Sequence, residues 1–179
     1  MIYKIRIVSD EVDDFRRDIL IDSEATFEDL KNVICECTGF NPNLMSSFYI
    51  CEDNWEKVKE ITFEDMGADM TKDLFLMSDT RLDDMISDVG QKMLFTFDFL
   101  GDRSLFLQVK DEEFGVDIDG PKCIISRGEA PAQEISIEEL EDIVDASSKN
   151  ATELEMDEDF LGSTDFDEEE IRDFDEMDY

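Results

Sequence analysis

Apolar positions recur with two distinct periods along this chain. From Ile2 to Val8 the period is two, with Tyr3, Ile5 and Ile7 on one face and Lys4 and Arg6 on the other, the pattern of a half-buried strand. The polar Asp10-Glu11-Val12-Asp13-Asp14 reads as a turn. Residues 15–22 form a second strand with Phe15, Arg17, Ile19 and Ile21 on one face, and so short a connection predicts an antiparallel hairpin. The period then becomes helical: Phe27, Leu30, Val33, Ile34 and Cys37 follow the pair Thr26 and Asp29, a near-match to a capping box. Gly39 closes this helix, Pro42 prevents its continuation, and residues 46–53 form a third strand.

Residues 54–80 carry a weaker signal. Trp55, Val58 and Ile61 alternate loosely with charges, and Thr62 is read as the cap of a short helical turn ending at Gly67. Residues 74–77 read as a brief strand. Leu82, Met85, Ile86 and Val89 after Thr80 predict a short amphipathic helix closed by Gly90. The strongest pattern is Lys92 to Lys110, where two apolar, aromatic-rich runs flank Leu100-Gly101-Asp102. That is a hairpin, and its first run, apolar on both faces, reads as an interior strand. Residues 111–134, with Gly115, Gly120, Pro121, Gly128 and Pro131, read as a loop-rich excursion with short extended pieces. Ser136 and Glu139 then make a capping box for a helix with stripe Ile137, Leu140, Ile143 and Val144.

The expectation is an α+β fold. A β-grasp-like core of hairpin, helix and strand is extended by a second helix and a late antiparallel hairpin, as a single mixed sheet packed by helices. Residues 1–149 form the domain and 150–179 an acidic tail.

Charge changes the picture more than composition does. The 50 acidic and 16 basic residues give a net charge of -34, and the tail holds 14 acids against the single Arg172. Such a charge repels nucleic acid and anionic membranes, so direct binding to either is not expected. It favours a monomer and a basic protein partner. No signal-peptide core opens the chain, no run of roughly 18–20 apolar residues could span a bilayer, and four cysteines are too few for a disulfide framework. A cytoplasmic setting with reduced thiols follows. The absence of histidine removes Ser-His-Asp and Cys-His chemistry and histidine metal sites; no cofactor is expected.

Phe97-Asp98-Phe99 with Gly101-Asp102, followed by Pro121-Lys122-Cys123 and Arg127-Gly128-Glu129-Ala130-Pro131, resembles the plasmid pRiA4b ORF-3-like family. That family carries an aromatic-Asp-Phe-Gly-Asp hairpin and a downstream Pro-x-Cys…Gly-Glu loop. The Thr26 to Leu30 helix entrance and a strand containing Phe48 also fit. The resemblance covers about residues 1–145 and excludes the acidic tail. It implies an α+β domain of largely unassigned function, in bacteria or on plasmids. This chain departs from the pattern: Leu100 is inserted before the Gly, Ser104, Leu105 and neighbours stand in place of a Trp and the following His, and the family's Cys-Pro-Pro-Glu-Asp element appears as Glu129-Ala130-Pro131-Ala132-Gln133. The implied state is a retained scaffold with a lost or altered site.

The candidate polar site is Asp98, Asp102, Lys122, Cys123, Arg127 and Glu129. Asp98 and Asp102 could bind a cation or act as acid and base, or simply serve a turn, which selects Asp for its own reasons. Cys123 has basic neighbours that would lower a thiol pKa, or it packs as a small hydrophobe. Cys35 and Cys37 are two apart on a helix and cannot share a metal. Asp117 to Gly120 has the flavour of a calcium loop, but the Gly offset is wrong and no Glu follows at the twelfth position. The tail's aromatic residues among carboxylates suit either a docking peptide or a solvated segment. Three functions are therefore carried forward. The first is a non-enzymatic binding module for a basic protein. The second is a DNA mimic with carboxylates at phosphate-like spacing. The third is an enzyme, which requires the residues of 98–129 to converge in one pocket.

Overall fold

The computed structural model describes residues 1–65, 67 and 73–135. The chain divides into two compact units, Met1–Glu134 and Ile135–Tyr179. The predicted helix after Ser136, the 149/150 boundary and the acidic tail lie outside the described residues.

The first unit is built on one mixed sheet of eight strands. In chain order its elements are β1 Ile2–Ser9, β2 Arg16–Asp22, α1 Phe27–Thr38, β3 Ser47–Cys51, β4 Lys57–Thr62 and β5 Phe75–Leu76. There follow α2 Leu82–Met85, β6 Lys92–Asp98, β7 Arg103–Glu113 and β8 Lys122–Arg127. Across the sheet the order is β5-β4-β3-β6-β7-β1-β2-β8. Every pairing is antiparallel except β4 with β5. The fold class is α+β with a mostly sheet core. The strand-strand-helix-strand order holds along the chain, but the β6–β7 hairpin lies between β1 and β3, so the β-grasp likeness extends no further than element order.

The predicted β1–β2 hairpin, the helix α1 and the β6–β7 hairpin are found. The β1–β2 hairpin is in register from Ile2 opposite Asp22 to Val8 opposite Arg16. At α1 the capping box is complete: the Asp29 N–H donates to Thr26 Oγ1 at 3.2 Å and the Thr26 N–H to Asp29 Oδ2 at 3.0 Å. Gly39 ends the helix at φ 79°, and its N–H donates to the Cys35 carbonyl, a left-handed close that glycine makes at no steric cost. β6 lies between β3 and β7, as an interior strand must.

The weak periods misled. Residues 57–62 form strand β4, not the approach to a Thr62-capped turn. Pairing to β3 overrides the local signal there, with Phe48 opposite Ile61. The second helix is only the single turn Leu82–Met85, beginning after Arg81 without a side-chain cap, and Val89 is exposed. The short extended pieces expected in residues 111–134 are the end of β7, which runs on to Glu113, and β8, which pairs with β2 at the sheet edge.

The core lies between α1 and one face of the sheet. Ile5, Ile7, Ile19, Phe48, Ile61, Met93, Phe95, Leu105, Leu107 and Val109 point toward it, all at most 2% exposed. Phe48 is the central ring, 5.3 Å from Phe27 of α1 and 4.9 Å from Phe95 of β6. Two cations enter this apolar layer. Arg17 donates to the carbonyls of Cys37, Arg16, Arg127 and Gly128 and covers the Phe15 ring at 4.6 Å. Lys31 donates to the Pro42 carbonyl and stands 3.3 Å from the Phe63 ring centroid; burial pushes its pKa down.

Candidate functional site

The six residues expected to form a polar site occupy separate places. Asp98 ends β6 and Asp102 lies in the turn before β7, whereas Lys122, Cys123 and Arg127 lie on β8, four strand positions from β6 and three from β7. At about 4.8 Å per strand this is on the order of 14–19 Å across the sheet. The structure does not bring the six into one pocket.

Asp98, Asp102 and Cys123 have local partners instead. Asp98 Oδ1 accepts from the Gly101 N–H at 3.0 Å, and its Oδ2 lies 3.6 Å from Arg103. A Cβ on Gly101 would meet Asp98 Oδ2 at 2.7 Å, so glycine is what lets the aspartate close the turn. Asp102 takes a positive φ of 49° and lies 3.8 Å from Lys57. Leu100, the inserted residue, is fully exposed at the tip. Cys123 packs against the core, and its thiol donates to the Ile125 carbonyl. Burial, reinforced by the facing Cys123, pushes the Cys37 thiol up to about 12. Arg127 and Glu129 flank Gly128, where Arg17 takes two of its four carbonyls. The sequence signature is thus a set of seams: one closes the β6–β7 turn, and the other fastens β8 to β2 and α1. Among the described residues no group of Cys, Asp and Glu side chains is placed to hold a metal ion.

Arginines and an aspartate that the sequence reading passed over do more. Arg103, whose side chain is 9% exposed, pairs with Glu11 at 2.9 Å, covers the Phe97 ring and donates to the Ala132 and Gln133 carbonyls. Asp18 is fully covered between Arg6 and Arg16, each bonding it through two nitrogens. Burial pushes its pKa up, but the hydrogen bonds from Arg16 and Arg6 outweigh that and hold it at about 2. For Asp18 the available signal was an acid on the outer face of the β1–β2 hairpin, opposite Arg6 and two residues from Arg16.

By strand alternation and register, Lys4, Arg6, Arg16, Lys92, Lys122 and Arg127 lie on the sheet face turned away from α1, together with the carboxylates Asp18, Asp22, Glu60, Asp111 and Glu113. Lys57 joins them above the Tyr49 ring. Three recesses are rimmed by carboxylates instead. One of about 330 Å³ holds Glu52, Asp53 and Glu56; one of about 310 Å³ holds Asp22, Glu24 and Asp29. A third of about 360 Å³ holds Glu60 and Glu64 among apolar side chains. Glu60 Oε1 accepts from Ser47 Oγ at 2.9 Å and from the Tyr49 hydroxyl at 3.0 Å. Burial first, then that carboxylate, pushes the Tyr49 pKa up to about 12.

A single eight-stranded α+β sheet with its sequence signature spent on seams defines a scaffold class. The profile described as "Plasmid pRiA4b ORF-3-like protein" matches residues 1–175, and the chain belongs to that family. The match reaches well beyond residue 145, so the acidic segment lies largely within the family region and not outside it. A crystal structure of a protein of unknown function, MM3350 from Methanosarcina mazei Go1, is similar in fold, with TM-score 0.60 and 16% identity. That likeness covers 82% of this chain and 81% of the other. No curated protein matches the chain.

Proposed function

We propose that this chain is a non-enzymatic binding module that works in the cytoplasm as a monomer and engages a basic protein surface. The observation that carries the reading is the acidic lining of the concave surface. It is rimmed by Glu52, Asp53, Glu56, Asp22, Glu24, Glu60 and Glu64, while the cations Arg6, Arg16, Lys57 and Lys92 engage carboxylates and rings of the domain itself. Carboxylates in recesses steer and seat cationic groups, and with a net charge of -34 the long-range field favours the same partners. Among the described residues no helix is long and apolar enough to cross a membrane. The DNA-mimic reading needs carboxylates at phosphate-like spacing along one face, and on the broad sheet face away from α1 the carboxylates Asp18, Asp22, Glu60, Asp111 and Glu113 are interspersed with cations. The test is capture by the full chain from a native lysate at low and high salt, with capture by a neutral control protein subtracted. Enrichment of basic proteins that is lost at high salt is expected; no enrichment at low salt overturns the reading.

A further inference from the structure

The last turn of α1 and the edge strand β8 each bring a half-buried thiol to one seam. In α1, Cys37 continues the buried stripe of Leu30, Val33 and Ile34 that faces the sheet. In β8, Cys123 stands opposite Ile19, whose side chain is completely buried in the core, so it lies on the face turned toward α1. Both cysteines pack against the same core cluster, and the Cys37 thiol is in hydrogen-bond contact with that of Cys123. Arg17 fixes the two backbones around them. Its Nε donates to the Cys37 carbonyl at 2.9 Å, Nη1 to the Arg127 carbonyl at 2.7 Å and Nη2 to the Gly128 carbonyl at 3.0 Å. All four cysteines are free thiols, and the other two are placed elsewhere. Cys35 is two residues back on the helix and so points away from this seam. Cys51 is paired with Lys92 on the sheet face away from α1.

We propose that Cys37 and Cys123 are a reversible redox pair, a modification site at which hydrogen peroxide joins them in a disulfide that fastens β8 to α1. The inference is independent of the partner argued above. Burial keeps Cys37 protonated, so Cys123 is the thiol that meets the oxidant first. Its sulfur attacks one peroxide oxygen: the S–O bond forms, the O–O bond breaks, and the departing oxygen takes up the thiol proton and leaves as water. The resulting sulfenic acid condenses with the facing Cys37. The S–S bond forms, the S–O bond breaks, and the hydroxyl leaves with the Cys37 proton as a second water. Two thiols thus lose two electrons to one hydrogen peroxide, and a dithiol reductant returns them by exchange. Disulfides of cytosolic proteins are usually of this transient, sensing kind. The bond falls where a fastening has most to hold. Among the described residues β8 is an edge strand, paired with β2 alone, and the cross-link closes a long loop of chain between Cys37 and Cys123.

The test is mass mapping of the full chain after exposure to hydrogen peroxide, with remaining thiols blocked by iodoacetamide in urea. Proteolysis after Glu36 and Phe40 isolates Cys37 from Cys35 and Cys51. The expected product is a Cys37–Cys123 cross-link, two hydrogens lighter than the paired thiols and removed by dithiothreitol, with Cys35 and Cys51 carrying the block. In circular dichroism melts the oxidised chain should unfold about 5–15 °C above the reduced chain. Cys37→Ser and Cys123→Ser should each show no such gain. Cys123 carried to the sulfinic or sulfonic acid with Cys37 still free overturns the pair. So does a cross-link spread over all four cysteines, or none at all. A Cys37–Cys123 cross-link with no rise in melting temperature overturns the fastening of β8. The mapping uses the unaltered chain, so misfolding of either serine variant leaves it decisive.

Discussion

Replacing Asp18 with Asn should remove a stabilising charge that vanishes in acid, and the size follows from the geometry. The carboxylate has no solvent exposure, with Arg6 Nε at 3.0 Å and Arg16 Nη2 at 2.8 Å. Its pKa falls from 3.8 to about 2, which at about 1.4 kcal/mol per unit corresponds to roughly 2 kcal/mol. The two arginines that cover it are themselves 31% and 33% exposed, so water screens the cluster and about 1–2 kcal/mol is the better expectation. The sign is set by the depressed pKa: the contribution is fully present above the unfolded value near 3.8 and is lost as pH falls through about 2. At pH 7 Asp18→Asn should therefore unfold about 2–8 °C below the parent, given about 2–4 °C per kcal/mol for a chain of this length. The assay is thermal and urea unfolding of both proteins by circular dichroism at pH 7, 4 and 2. Subtracting variant from parent cancels the other carboxylates, whose protonation relieves self-repulsion in both. A gap that stays constant from pH 7 to pH 2, or no gap at pH 7, refutes the reasoning.

Phe48→Ala should cost about 3–5 kcal/mol in urea unfolding, because Phe48 is completely buried between Phe27 and Phe95. Gly128→Ala should loosen β8 selectively: Gly128 has φ +70°, and a Cβ there would meet Asp14 O at 2.5 Å and Phe15 N at 3.0 Å. Amide exchange should rise at Cys123 to Arg127 and not at Met93 to Phe97; uniform change along both strands would contradict this. Cys37, with its thiol pushed up to about 12, should resist alkylation at pH 8 in the native protein and react readily in urea.

Sequence legibility followed burial. Strands with one buried face wrote their period plainly, and so did α1, whose start and stop are fixed by Thr26, Asp29 and Gly39 within a few residues. β4 was misjudged because four of its six residues, Lys57 to Glu60, are exposed and only Ile61 is committed to the core, so pairing to β3 and not periodicity makes it a strand. The bounds of β8 were hidden by the glycines and prolines around it and by its half-exposed edge position. The candidate polar site failed for a different reason. Asp98, Gly101 and Gly128 are constrained by backbone closures, and a motif set by steric closure looks in sequence like one set by chemistry. The Glu60 and Glu64 recess was invisible because it joins β3, β4 and the residue after β6, which no local spacing connects.

Amide hydrogen exchange of the full chain with and without hexa-arginine peptide at low salt would locate the binding surface directly. The proposed module predicts new protection at the acid-rimmed segments, Asp22 to Asp29 and Met45 to Glu64, reversed by high salt, with β8 unchanged. Protection confined to residues 150–179, or none anywhere, would contradict it.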